Sequence, residues 1–223
     1  MHLQRRLIPA AALAAFVSLP IAAQAADATY EVTFTPAWTA KTHPLDYPKA
    51  GLLTGPHFSG IIGATHGAGF DLYKVGRQPT QGLERLSETG KHDPLDAEIK
   101  AAIAKGSAGA LFETDAIKDL SQPVKFTVTV SDKYPMVSAV AMIAPSPDWF
   151  AGVASVNLKD ASGWVASKTL DVLAYDSGGD DGTTYAADDK DTNPKKATSL
   201  NSSAHFTKGG KSVPVAKISF TRK

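Results

Sequence analysis

Tyr30, Val32 and Phe34 alternate with Glu31, Thr33 and Thr35, the period-two rhythm of a strand with one buried face. The rhythm returns at Val124, Phe126, Val128 and Val130, set between Lys125, Thr127, Thr129 and Ser131. Val137 to Ile143, Gly152 to Leu158, Lys168 to Tyr175 and Val213 to Phe220 are further predicted strands, bounded by Pro, Gly, Asp and Ser. Helical spacing is confined to the middle of the chain. Asp93 is placed to cap a helix with Pro94 in its first turn, running from Leu95 to Lys105 before Gly106, and Leu83 and Leu86 share a face of a shorter helix from Gln81 to Thr89. Helices between an early strand and a strand-rich second half read as inserts on a sandwich, not as crossovers of a parallel sheet. The expected fold is therefore mainly β, an antiparallel sandwich with one or two short inserted helices.

The first 25 residues fall outside this pattern. Arg5 and Arg6 precede an apolar run that ends in Ala23-Gln24-Ala25, which is how a secretory signal peptide is written. The expectation is a signal peptide over 1–25 and one domain over 26–223, exported to the periplasm or secreted, with no membrane span once the signal is cleaved. Removing Arg5 and Arg6 takes the 23 Lys plus Arg to 21, against 22 Asp plus Glu. A balance this even offers no broad basic footprint, so nucleic acid is excluded as a first expectation, and it sets no preference for self-association. Cysteine is absent, which removes disulfides, thiolate nucleophiles and Cys-based zinc sites together.

Charge becomes informative where it is concentrated. Between Asp171 and Asp191 lie 7 of the 22 acids: Asp171, Asp176, Asp180, Asp181, Asp188, Asp189 and Asp191. Carboxylates held close repel by up to ~4 kcal/mol per pair at an effective dielectric near 20 unless they spread, protonate or share a cation. Asp176-Ser177-Gly178-Gly179-Asp180 sets two carboxylates four apart with glycines that let the chain fold back, a suitable arrangement for calcium, which takes oxygen ligands; a solvated acidic loop is the competing reading. Asp189-Lys190-Asp191-Thr192-Asn193 opens like an EF-hand and then fails, with Pro194 where the turn needs Gly and Leu200 at the twelfth position. Asp148 stands on a proline-stiffened corner, Ala144-Pro145-Ser146-Pro147-Asp148-Trp149, where a carboxylate is held still; taken alone, a turn-former that caps its own backbone is the competing reading.

Ala144 to Val153, APSPDWFAGV, resembles the signature segment of the spondin N-terminal domain. His57 to His66, HFSGIIGATH, resembles the family's early block, and Gly76-Arg77 to Gly90, Met136 to Ile143 and Tyr175 to Asp180 follow in family order. The resemblance implies a C2-like antiparallel β-sandwich of extracellular matrix proteins, with a calcium ion held by loops at one end, acting in adhesion or ligand binding and not in catalysis. Its calcium-binding aspartates, matched residue by residue, are Asp148, Asp176 and Asp180. This chain departs from animal members in lacking cysteine, in carrying Tyr175 where they tend to have Trp, and in placing Asp181 beside Asp180.

His57 and His66 lack a third close ligand or an HExxH helix and read as structural histidines. Trp38, Trp149 and Trp164 read as packing residues. No nucleophile elbow or phosphate loop is present. The functional expectation is a secreted calcium-binding module, not an enzyme, that meets a protein or glycan ligand at a surface or in a matrix. The alternative is a metal-assisted hydrolase on the same acidic rim with His66 nearby.

Overall fold

A computed structural model describes residues 26–49 and 55–223; the expected signal peptide lies outside the described residues. The long strands are β1 (Ala28–Pro36), β2 (Ile62–His66), β3 (Ala108–Glu113), β4 (Val124–Val130), β5 (Met136–Ala144), β6 (Trp149–Asn157), β7 (Ser167–Asp176) and β8 (Ala216–Arg222). Two helices, α1 (Gln81–Thr89) and α2 (Leu95–Ala104), fall between β2 and β3. The strands form one antiparallel sheet in the order β3-β2-β5-β6-β7-β8-β1-β4. Its two ends meet: the rings of Phe112 on β3 and Phe126 on β4 stack with centroids 5.4 Å apart, so the sheet curls nearly into a barrel and packs as a sandwich. The expected mainly β fold with two short helices is the one observed.

The curl is made by β7, which changes neighbours partway along. Ser167 to Val172 pair with β8, and Leu173 to Asp176 pair with β6. One strand thus belongs to both layers, and its last residue, Asp176, emerges opposite Trp149 at the start of β6. Between the layers lies the main core, in which Tyr30, Val32 and Phe34 meet Val137, Ala139, Trp149, Ile218 and Phe220. A second core joins the opposite face of β2, β5 and β6 to the helices through Ile62, Val140, Phe150, Leu83, Leu86, Leu95 and Ile99. Helices on one face and a second layer on the other leave Val137 to Ala144 buried throughout, which is why that run is apolar apart from the hydrogen-bonded Ser138 and does not alternate.

The local rules hold unevenly. Thr80 caps α1, its side chain accepting from the Leu83 N–H, and Gly90 closes it in the left-handed conformation. The expected cap at Asp93 is absent: Pro94 stands at the N-cap of α2 without a side-chain cap bond, and the Asp93–Pro94 peptide is cis. Strands β2 and β3 were not predicted. They are short, with small residues such as Gly63, Ala64, Gly109 and Ala110, and β2 is buried at every position, so no alternation betrays it.

Candidate functional site

The Pro-rich corner delivers Asp148 to the interior. The hydroxyl of Ser146 accepts from the Trp149 N–H at 3.1 Å, closing a turn that starts β6, and Asp148 is left with no exposed surface. Its Oδ2 is wrapped by the turn that follows β7. The Ser177 hydroxyl and the N–H groups of Gly178, Gly179 and Asp180 donate to it at 2.8, 2.9, 2.8 and 3.2 Å. Three successive backbone N–H groups facing one oxygen form an anion nest. Gly178 makes the nest possible, since it holds φ at +88° and a Cβ there would lie 2.4 Å from the Lys196 carbonyl oxygen. The other oxygen, Oδ1, is buried with no hydrogen-bond partner.

Asp176 stands beside it. The Gly178 N–H that reaches Asp148 also donates to Asp176 Oδ1 at 3.0 Å. Burial first, and the neighbouring Asp148 charge second, push the Asp176 carboxyl up to about 6. Asp148 is itself raised by burial, against which its four donors pull. The buried Trp149 indole N–H lies near Asp176 and holds its rise back, although it completes no hydrogen bond of good geometry.

Of the three aspartates singled out in the sequence, Asp148 and Asp176 are thus brought together from remote stretches. Asp180 is buried as well, at 5% exposure. It gives its N–H to Asp148, while its carboxylate turns onto its own loop and accepts from Gly182 N at 2.5 Å and Lys190 N at 2.6 Å. Asp181 points outward, pairing with Thr192 Oγ1 at 2.9 Å and Lys196 Nζ at 2.5 Å, and these contacts lower its pKa.

A second acidic group abuts the first. Glu84 and Glu88, four apart on α1, press on Gly179, and with Asp191 they offer three carboxylate oxygens within 4.8 Å of one another. Such a group could hold a metal ion. In the present arrangement Lys195 Nζ lies 2.9 Å from Glu84 Oε1 and 3.1 Å from both Asp191 Oδ1 and the Gly179 carbonyl oxygen. Burial, then Glu84, push Glu88 up to about 7, and its Oε1 is buried without a partner. Sequence reasoning overlooked these two glutamates; their i, i+4 spacing on a predicted helix was the available signal.

Among the described residues, no histidine takes part in either group. His66 is fully buried; its Nδ1 lies 2.8 Å from the Gly67 carbonyl oxygen and its Nε2 2.7 Å from Ser138 Oγ. His66 and Ser138 are both fully buried, so neither substrate nor water reaches the imidazole, and it is not placed to serve as the base that a hydrolase on the acidic rim would require. Trp38 and Trp149 are core residues at 0% and 2% exposure.

The Spondin_N family model matches residues 28–209. Human Spondin-2 is 33% identical over 180 residues, covering 79% of this chain and 54% of that protein. Spondin-1 of Xenopus laevis is 30% identical over 219 residues, covering 92% of this chain and 26% of its own length, and rat Spondin-2 is 29% identical over 206 residues, with 87% and 62% covered. The chain therefore spans between about a quarter and three fifths of these relatives. With the matched region running from β1 through the acidic loops, the chain belongs to the Spondin_N family.

Proposed function

We propose that this chain is an exported calcium-dependent binding module, holding the ion between Asp148 and Asp176, with Asp180 joining as a third ligand once its carboxylate turns from the Gly182 and Lys190 N–H groups, and presenting the surrounding loops to a protein or glycan ligand at a surface or in a matrix. The observation that carries the reading is Asp148, a fully enclosed carboxylate whose Oδ2 takes four donors while Oδ1 has none. A buried carboxylate oxygen without a partner is costly, and a cation relieves that cost and the Asp148–Asp176 repulsion at once. Calcium, which takes oxygen ligands, suits a set of carboxylates. Membership of the spondin family favours a binding role over a catalytic one, and the complete burial of His66 points the same way.

The test is thermal unfolding with calcium and with chelator. A ligand at about 100 times its dissociation constant stabilises the native state by ~2.7 kcal/mol, so chelation should lower the melting temperature, and Asp176→Asn should remove most of that difference while Glu88→Gln keeps it. An unmoved wild-type curve sinks the reading. Loss of the shift in Glu88→Gln alone assigns the ion to the helix-borne group instead.

A further inference from the structure

His205 is 8% exposed and sits between the short strands Ser199–Leu200 and Thr207–Lys208. Its ring packs among Tyr185, Trp149 and Phe206, with centroids 5.0, 5.4 and 6.5 Å away. Nδ1 lies 3.4 Å from Ser203 Oγ. Nε2 is buried without a hydrogen-bond partner and lies 3.8 Å from Asp46 Oδ2. Asp46 belongs to a different segment, its side chain is 68% exposed, and its φ of 48° is a left-handed backbone that a residue other than glycine seldom adopts.

At 3.8 Å the pair is too long for a hydrogen bond. A neutral imidazole offers the exposed carboxylate nothing that water does not. A protonated one places a full charge opposite it, beside aromatic walls that supply no competing counter-ion. Tyr185 is a phenol held well above its usual range by burial, and Trp149 and Phe206 carry no charge. His43, whose ring meets Phe206 at 5.8 Å, is kept below its usual value by burial. Burial lowers His205 likewise, and the Asp46 charge works against that fall.

We propose that Asp46 and His205 form a proton-operated latch: protonation of His205 draws the Asp46 carboxylate onto Nε2 and fastens the segment around Asp46 to the Trp149, Tyr185 and Phe206 cluster. Asp46, Tyr47, Pro48 and Lys49 line one side of a cleft whose other side is Pro145, Thr184, Tyr185 and Ala186. Pro145 opens the corner that carries Asp148, so acid narrows a cleft next to the proposed ion site. The latch stands independently of calcium.

The experiment is imidazole titration by NMR combined with amide exchange in Leu45 to Lys49, on the full mature chain in chelator. Asp46→Asn is the test variant, since Asp46 is exposed and Asn tolerates the left-handed backbone; His205→Asn assigns the resonance. The variant should lower the His205 midpoint by ~0.5–1 unit, the effect of one opposite charge near 4 Å in a largely aqueous medium. After correction for intrinsic rates, wild-type exchange in this segment should slow several-fold from about pH 7.5 to about pH 5, and the slowing should vanish in Asp46→Asn. Equal midpoints, or wild-type protection that does not rise in acid, overturn the proposal.

Discussion

At Asp148 a single carboxylate has two unlike ends, and they separate what the residue does for folding from what it does for an ion. Oδ2 is the acceptor for the Ser177 hydroxyl and three backbone N–H groups, so Asp148→Ala strips a buried nest of its anion; the Gly178 and Gly179 N–H groups keep weaker second acceptors in Asp176 Oδ1 and Ser177 Oγ, and the Ser177 hydroxyl and the Asp180 N–H lose their acceptor. Leaving buried donors unsatisfied costs about 1–3 kcal/mol each at most, with partial relaxation, and the expected loss in denaturant titration of the calcium-free protein is ~2–4 kcal/mol. Asp148→Asn keeps an acceptor for the nest and removes the charge. It should fold with a much smaller loss and show little calcium-induced stabilisation; if Asn and Ala prove equally destabilising without calcium, the nest is not what Asp148 contributes to the fold.

At the scale of elements, α1 matters because it carries Glu84 and Glu88 to the acidic turn, and its position is set by a close approach to α2. Gly82 lies in the first turn of α1, where its N–H donates to Glu98 Oε1 at 2.8 Å and a Cβ would stand 2.5 Å from the Leu95 Cα. In an open helix Gly→Ala stabilises by about 1 kcal/mol. Here the sign reverses, because the added methyl meets backbone and not a flexible side chain. Gly82→Ala should lower stability by ~1–3 kcal/mol, read as an earlier midpoint in urea at unchanged slope; a stabilised variant would mean that the helices part freely. Element boundaries were legible wherever one face is wet: β1 and β4 alternate, and both helices start and end near where their spacing placed them. They were illegible for β2, which is covered at every position, and for β3, a short stretch that opens on small residues and is only partly covered, so neither carries a period.

At the scale of the whole molecule, stability depends on pH through two opposed sets of groups. His43, His66 and His205 have folded pKa values below the ordinary one, because burial disfavours their charged form. The unfolded chain therefore takes up protons first, and the stability these residues contribute is lost as pH falls below about 6.5. Asp176 works the other way. Its folded value of about 6 lies above the ordinary aspartate value of 3.8, so its contribution is complete below the unfolded value and disappears as pH rises through about 6. In chelator, acidification from pH 7 towards pH 5 thus costs the wild type less than it would without Asp176. Asp176→Asn should melt progressively earlier than wild type along that series, relative to their difference at pH 7; parallel curves would show that Asp176 is not raised in the folded chain.

The sequence alone determined the alternation of β1 and β4, the placing of both helices, the stiff corner under Asp148, the crowding of acids after β7 and the likeness to spondin domains, because each is written in neighbouring residues. Tertiary structure decided the rest. The partner exchange of β7 is what sets Asp176 beside Trp149, and the fold of the Ser177 to Asp180 turn is what gives Asp148 one satisfied oxygen and one bare one. The meeting of Glu84, Glu88 and Asp191 around Lys195, the burial of His66, and the facing of Asp46 and His205 follow from sheet register and helix docking. Local periodicity records which face of an element is covered, whereas the separation of side chains far apart in sequence is set by how covered faces pack against one another.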